Sequence, residues 1–336
     1  MDLSKQLLCV VCPCYNEAEV IGLFYDALKP VLSNLSGIDH RIIFVDDGST
    51  DETLETLNAL SKTDPCVQVC ALSRNFGHQI ALTAGLDAAS GDAVIMMDSD
   101  LQHPPTLIPR MIELWREGND VVSAVRTCTA DAGFLKRVSS NGFYTIVNWL
   151  SDTPIVNGAS DFCLLSRQAH EALQAMPERH RFLRGMVSWI GFCRALVPYA
   201  ASARAAGHSK YHLRKMIALS LDAVFSFSAT PIKLGTRIGA LTGFLGFIYL
   251  CYALGRYWLV RDLVPGWGSL ISVILILGGM QLTFIGLIGE YLARVFEEVK
   301  NRPRYLLRQQ PVERRFEVAN GKNRGSLGKK KMESPT

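Results

Sequence analysis

The stretch Val94-Ile95-Met96-Met97-Asp98-Ser99-Asp100-Leu101-Gln102 decides the reading of this chain, because a short apolar run ends in two carboxylates one residue apart. A buried strand accepts Val94 to Met97, but no core accepts two neighbouring unpaired charges. At roughly 4 Å, two carboxylates repel by about 4 kcal/mol at an effective dielectric of roughly 20. A divalent cation removes that cost, and oxygen ligands at a strand end suit Mg²⁺ or Mn²⁺ shared with a phosphate. A solvated loop is the plain alternative for an Asp-Xaa-Asp triplet, so the surrounding sequence has to decide.

Residues 1–126 alternate apolar runs with amphipathic segments. Strands are predicted at Leu7–Cys12, Arg41–Val45, Val67–Leu72, Ala93–Met97 and Val121–Val125, with helices near Glu17–Leu32, Asp51–Ser61, Gln79–Ala89 and Pro105–Arg116. Such alternation with short connections argues for an α/β fold with a mostly parallel sheet covered on both faces. Sheets of this kind bind ligands beyond the carboxyl ends of their strands. Polar residues gather at four of those ends: Tyr15-Asn16-Glu17, Asp46-Asp47-Gly48-Ser49, Ser73-Arg74-Asn75 and Asp98-Ser99-Asp100. Asp46 can accept hydrogen bonds from a base or ribose, whereas Ser49 or Asp51 can serve simply as a cap for the next helix. No Gly-x-Gly-x-x-Gly or Walker sequence follows any strand, which excludes the ordinary dinucleotide and P-loop readings.

Composition narrows the class. The 336 residues allow about two domains, and 49% are hydrophobic, with the excess concentrated late in the chain. The net charge of +4 is carried by residues 311–336, where seven Lys/Arg face three Glu. The remainder is balanced, so nothing supports a nucleic-acid surface; the tail is expected to be disordered and open to anionic lipid. The nine cysteines sit mainly in apolar runs and are expected as buried thiols in a reducing compartment. Cys9 and Cys12 have a zinc-knuckle spacing but no partner pair.

Residues 127–211 are mixed and less periodic, and residues 212–233 are amphipathic, suited to an interfacial or an ordinary packed helix. Two uncharged runs follow, Ile238–Gly255 and Trp267–Gly289, of 18 and 23 residues. They span about 27 and 35 Å as helices, close to the roughly 30 Å of a bilayer's hydrocarbon. Lys233, Arg237, Arg294, Lys300, Arg302 and Arg304 lie outside the pair, against Arg256 and Arg261 in the short loop. The positive-inside rule therefore puts the N-terminal domain and both termini in the cytoplasm.

Pro13-Cys14-Tyr15-Asn16-Glu17, Val45-Asp46-Asp47-Gly48-Ser49-Thr50-Asp51, Ser73-Arg74-Asn75-Phe76-Gly77 and Asp98-Ser99-Asp100-Leu101-Gln102-His103-Pro104-Pro105 together resemble the inverting GT-A glycosyltransferases of family 2. The segment 204–211, Gly289-Glu290-Tyr291-Leu292 and Glu297-Glu298-Val299-Lys300-Asn301-Arg302-Pro303 narrow the resemblance to the polyprenyl-phosphate glycosyltransferases, over about residues 6–307. The resemblance implies a GT-A domain over 1–211; the residue patterns divide the rest into an interfacial helix over 212–235, a transmembrane hairpin over 236–293, a juxtamembrane segment over 294–310 and, outside the resemblance, a disordered tail over 311–336.

It also implies roles. Pro13, Tyr15, Glu17 and Asp46 would line the base and ribose of a nucleoside diphosphate sugar, with a uridine-linked donor expected. Asp98, Asp100 and Gln102 would hold Mg²⁺ or Mn²⁺ on the diphosphate. Arg204, Ser209 and Lys210 would contact donor or lipid phosphate, with Arg126, Arg181 and Arg184 as further candidates or as surface charges. Asp161 would lie near the reacting centre as base, as holder of a sugar hydroxyl, or as a structural turn. A lipid phosphate is already anionic at neutral pH, so the acceptor needs alignment more than deprotonation. The implied acceptor is undecaprenyl phosphate at the bacterial inner membrane, with the product passed to a flippase; a homo-oligomer is compatible. The chain departs from the family at Thr127-Cys128-Thr129-Ala130, where relatives often carry a second Arg, and at Cys163, where they often carry Arg, which puts the sugar's identity in doubt. A processive polysaccharide synthase is the nearest rival, but Gln-x-x-Arg-Trp is absent. An inactive membrane scaffold or sugar-nucleotide sensor is the other, and the full charged metal cluster speaks against it.

Overall fold

The computed structural model describes residues 5–126, 159–179, 181–200, 230–260 and 266–308. Strand β1 (Gln6–Cys14) leads to α1 (Ala18–Ser33), β2 (Ile38–Asp46), α2 (Thr53–Thr63), β3 (Val67–Ala71), α3 (His78–Ala88) and β4 (Ala93–Met96). A 3-10 turn at Pro105–Leu107 precedes α4 (Ile108–Arg116). The sequence predicts one helix here, but Pro109 has no N–H to bond back one turn, so the regular helix starts around it. Then follow β5 (Val121–Arg126), β6 (Ala159–Ser166), α5 (Arg167–Gln174), α6 (Leu183–Trp189) and β7 (Arg194–Tyr199).

The seven strands form one sheet in the order β3-β2-β1-β4-β6-β5-β7. β1 runs parallel to β2 and β4, β2 to β3 and β5 to β7, while β6 is antiparallel to both β4 and β5. The expected mostly parallel sheet is therefore present, with one reversed strand. The weakly periodic reading of 127–211 is corrected where that region is described: it supplies two strands and two helices. β6 escaped a period-two reading because Phe162, Cys163, Leu164 and Leu165 are all buried, on alternating faces.

Alternation along β1 builds the core. Leu8, Val10, Cys12 and Cys14 pack with Phe24 and Leu28 of α1 and Met111 of α4, while Cys9 and Val11 face Leu82 and Leu86 of α3. Cys9 and Cys12 thus point to opposite layers, and all described cysteines are free. At the far edge Asp64 staples α1 to β3's entry: Tyr25 Oη donates to it at 2.7 Å, Lys29 Nζ at 2.5 Å and the Cys66 backbone N–H at 2.9 Å.

Two long helices, α7 (Thr230–Val260) and α8 (Trp267–Val299), follow. They approach closely where Gly235 faces Phe284; a Cβ at Gly235 would fall 2.5 Å from that ring. Both exceed the uncharged runs from which they were predicted. Among the described residues no helix is long and apolar enough to cross a membrane, so the expected pair of transmembrane spans is not supported by the structure. The interfacial helix lies mostly, and the basic tail wholly, outside the described residues.

Burial alone would raise the Asp64 pKa, but Lys29, Tyr25 and the Cys66 N–H hold it well below the usual carboxylate range. Its stabilisation is therefore full above the ordinary carboxyl pKa of about 4 and is lost as pH falls through the depressed value. Asp64→Asn is expected to cost about 1–3 kcal/mol at pH 7. In denaturant melts the gap from wild type should narrow progressively as the pH falls below about 4.

Candidate active site

The chain leaves β1 toward β2 on one side and later returns to β4 on the other, so the carboxyl ends of β1 and β4 flank a switch point where parallel sheets take ligands. All four polar strand ends meet there. Register sets their heights: Cys14 pairs with Asp46, and Asp46 with Ala71. Antiparallel pairing of Met96 with Cys163, continued by two residues, brings Asp161 opposite Asp98.

The β1 and β2 loops are stitched together. Asn16, at φ 54°, donates its N–H to Ser49 Oγ at 3.0 Å and accepts the Thr50 N–H on Oδ1 at 2.8 Å. Asp51 accepts from the Ala18 N–H at 3.3 Å and the Thr53 N–H at 3.1 Å, so it holds the starts of α1 and α2 as a structural residue. Asp46 is 1% exposed; Oδ1 accepts the Ser49 N–H at 3.2 Å, while the buried Oδ2 accepts nothing. Asp47 accepts from the Phe76 and Gly77 N–H groups at 2.7 and 3.0 Å, which fixes the β3–α3 loop against the β2 loop. Gly48 makes that approach possible: its φ is 69°, and a Cβ there would sit 2.4 Å from the Arg74 carbonyl carbon.

Glu17 and Ser99 bridge the first and fourth strand ends. Ser99 Oγ lies 2.8 Å from the Pro13 carbonyl and in very short contact with Glu17 Oε2. Burial, with the charges of Asp100 and Asp98 adding to it, outweighs the Ser99 hydrogen bond and pushes the Glu17 pKa up to about 7.

Asp98 lies between two histidines the sequence reading did not single out. Its backbone N–H donates to His103 Nδ1 at 3.0 Å, so that nitrogen is an acceptor and the ring proton sits on Nε2. Burial lowers the His103 pKa, and the neutral ring stacks on Phe162 with centroids 5.1 Å apart. His78, first residue of α3, places Nε2 3.4 Å from Asp98 Oδ1 and 3.5 Å from Asp161 Oδ2. Burial works against its charge, but the Asp161 contact and the Asp98 charge outweigh it and raise its pKa to about 9. Asp100 Oδ1 accepts the Gln102 N–H at 3.0 Å across Leu101, whose φ of 62° closes a tight turn.

Asp161 is buried and takes a bidentate ion pair from Arg184, Nε at 2.7 Å and Nη2 at 2.9 Å, plus the Gln79 amide at 3.2 Å. Burial would raise its pKa, yet Arg184 and His78 hold it well below the usual carboxylate range. Such a carboxylate is a poor proton acceptor and a good fixed anchor.

Pro13, Tyr15, Glu17, Asp46, Asp98, Asp100, Gln102 and Asp161 all lie at the carboxyl ends of the strands, with Asp98 and Asp161 facing each other across His78. Arg184 is committed to Asp161. Arg181 is corrected: it is buried, and its Nη2 donates to the Leu173 and Met176 carbonyls at the end of α5, so it is a structural cap and not a phosphate ligand. Arg204, Ser209 and Lys210 lie outside the described residues, as do Thr127 to Ala130. Cys163, the other departure, is buried in the α3-side core. His78 was detectable as the residue following the quoted Ser73–Gly77 motif, and His103 within its own motif.

A cavity of about 260 Å³ opens between the β1 end and the β3–α3 loop, lined by Pro13, Tyr15, Glu17, Asp47, Asn75 and His78. Gly48→Ala is expected to cost about 2 kcal/mol or more, because it combines a left-handed φ with a backbone clash. Thermal unfolding of the variant checks this, and ligand binding in the cavity should weaken with it.

The family described as Glycosyl transferase family 2 matches residues 9–174, and the one described as GtrB C-terminal hairpin matches residues 230–295. The uncharacterized glycosyltransferase YkcC of Bacillus subtilis (strain 168) is 40% identical over 300 residues, 89% of this chain and 93% of that protein. The SfII prophage-derived bactoprenol glucosyl transferase of Shigella flexneri is 40% identical over 300 residues, 89% of this chain and 97% of that protein. A crystal structure of glucosyl-3-phosphoglycerate synthase from Mycobacterium tuberculosis with Mn²⁺, UDP-glucose and phosphoglyceric acid gives a TM-score of 0.45 at 21% identity, over 67% of this chain and 80% of that one, too distant to bear on the site. With identity of this depth running through both the sheet domain and the hairpin, the chain belongs to glycosyl transferase family 2, among the glycosyltransferases that carry the GtrB-type hairpin.

Proposed function

We propose that this glycosyltransferase moves a sugar, with inversion, from a uridine-linked nucleoside diphosphate donor to a polyprenyl phosphate at the cytoplasmic face of the bacterial inner membrane. The observation that carries the reading is the meeting of Asp98 and Asp161 across His78 at the carboxyl end of β4, beside the Asp46 turn at the end of β2 and next to the switch point. The names of the Shigella relatives, bactoprenol glucosyl transferases, support the acceptor class.

Each residue has work in this reaction. The free, buried Asp46 Oδ2 is suited to accept an N–H from the donor base, and the exposed Tyr15 ring can stack on it. Asp98 faces His78 through Oδ1, and with its neighbours Asp100 and Gln102 it offers carboxylate and amide oxygen, a donor set of the kind that fits a divalent cation such as Mg²⁺ or Mn²⁺. Among the described residues no three His, Cys, Asp or Glu side chains gather into a metal cage. When bound, that ion supplies positive charge against the negative charge that develops on the departing diphosphate. His78, held cationic between Asp98 and Asp161, adds charge of the same sign on that side. Asp161, anchored by Arg184, orients a sugar hydroxyl or the acceptor, and the anionic lipid phosphate attacks without needing a strong base.

Membrane attachment rests on the hairpin. Phe244, Phe247, Ile248 and Tyr252 of α7 and Leu282, Ile285, Ile288 and Leu292 of α8 are all exposed, an apolar surface that water does not tolerate. The proposal embeds both helices in the bilayer with their basic flanks on the cytoplasmic side.

Purified protein incubated with undecaprenyl phosphate and a panel of radiolabelled UDP-sugars should label the lipid fraction with Mn²⁺ and stop with EDTA. Asp100→Asn should lower turnover by about 100-fold or more while membrane insertion is kept. Substantial turnover by that variant would refute the metal role.

A further inference from the structure

The segment after α8 does not hang from the hairpin; it is fastened to the sheet domain. Asn301, at φ 44°, ends the helix in the left-handed region, and the chain turns back toward α3 and β3. Glu298 accepts the Arg179 N–H at 2.7 Å, and Arg179 Nη1 donates to the Arg302 carbonyl at 2.9 Å. Arg304 donates to the Met176 carbonyl at 3.3 Å, and Tyr305 Oη to Asp87 of α3 at 3.1 Å. Leu307 then bridges antiparallel to Leu72, with the Ser73 N–H donating to the Leu306 carbonyl at 2.8 Å and the Arg308 N–H to the Ala71 carbonyl at 2.7 Å.

These last bonds fall at a telling place. β3 is an edge of the sheet, and Ser73 is the first residue of the loop that supplies Asn75, Gly77 and His78 to the cavity. From within, that loop rests on Asp47 and on the Gly48 turn. From outside it is held by residues 306–308, while Tyr305 and Phe76 both pack on the α3-side core. We infer that residues 301–308 form a strap that positions the 73–77 loop, so that the membrane hairpin's exit segment completes the donor pocket. This rests on the reading of that cavity as the donor site. It gives the strap residues a positioning role, felt in donor affinity and not in the chemical step.

The test uses the full chain in detergent and titrates UDP in the presence of Mn²⁺, with GDP as the second probe. Arg308→Pro removes the N–H that bonds Ala71 and should raise the nucleotide Kd and the donor KM by about 3–10-fold, with kcat within about twofold. Arg308→Ala keeps that N–H and should stay within about twofold of wild type on both. A variant that is merely less folded loses kcat and leaves KM alone, which would overturn the inference. Should Arg308→Pro fail to accumulate, Tyr305→Phe combined with Glu298→Ala loosens the strap at two other ties and is judged by the same split. Wild type that binds a nucleotide while the strap variants bind it equally well overturns the strap alone. Wild type that binds neither nucleotide overturns the donor-site reading, and the strap's role with it.

Discussion

Carboxylates held out of water at the ends of parallel strands are the constraint around which this molecule is built. Asp46, Asp47 and Asp161 are each at most 5% exposed, and each needs compensation. Asp47 takes two backbone N–H groups, Asp161 takes a guanidinium and Asp98 sets Oδ1 3.4 Å from His78, while Asp46 keeps one buried oxygen without a hydrogen-bond donor. The satisfied oxygens fix loops; the unsatisfied Asp46 Oδ2 is where a ligand's donor gains most, since the desolvation has already been met by folding. The division of labour among four acids therefore follows from their partners and not from residue type.

The same view explains why two histidines matter. His103 is kept neutral by burial and by accepting the Asp98 N–H, which makes it a wall and a turn-former. His78 stands between two carboxylates and is kept charged. One residue type, at opposite sides of Asp98, has been set to two protonation states by its surroundings.

Much of this was legible in the sequence because it is local. Apolar runs ending in Tyr15-Asn16-Glu17, Asp46-Asp47-Gly48 and Asp98-Ser99-Asp100 give strands, turns and the crevice at once. The misses are non-local. The pairing of Asp161 with Arg184, and its place opposite Asp98, depend on β6 being antiparallel, which its uniformly buried sequence does not announce. Arg181 sits in a basic cluster with Arg179 and Arg184, yet the start of α6 turns it inward onto backbone carbonyls. The docking of residues 301–308 beside β3 leaves no local trace either, because backbone hydrogen bonds to a sheet edge ask little of side chains. It ties the segment that follows the C-terminal hairpin to the edge of the sheet domain, beside the 73–77 loop.

The central claim, that the crevice holds a nucleotide through Asp46 and a metal-bound diphosphate through Asp98 and Asp100, is tested most directly by calorimetric titration of UDP with and without Mn²⁺. The wild type should bind UDP more tightly with the metal, and Asp98→Ala should abolish that gain while metal-free binding persists. Equal binding with and without Mn²⁺ in the wild type, or a metal gain that survives Asp98→Ala, would contradict it.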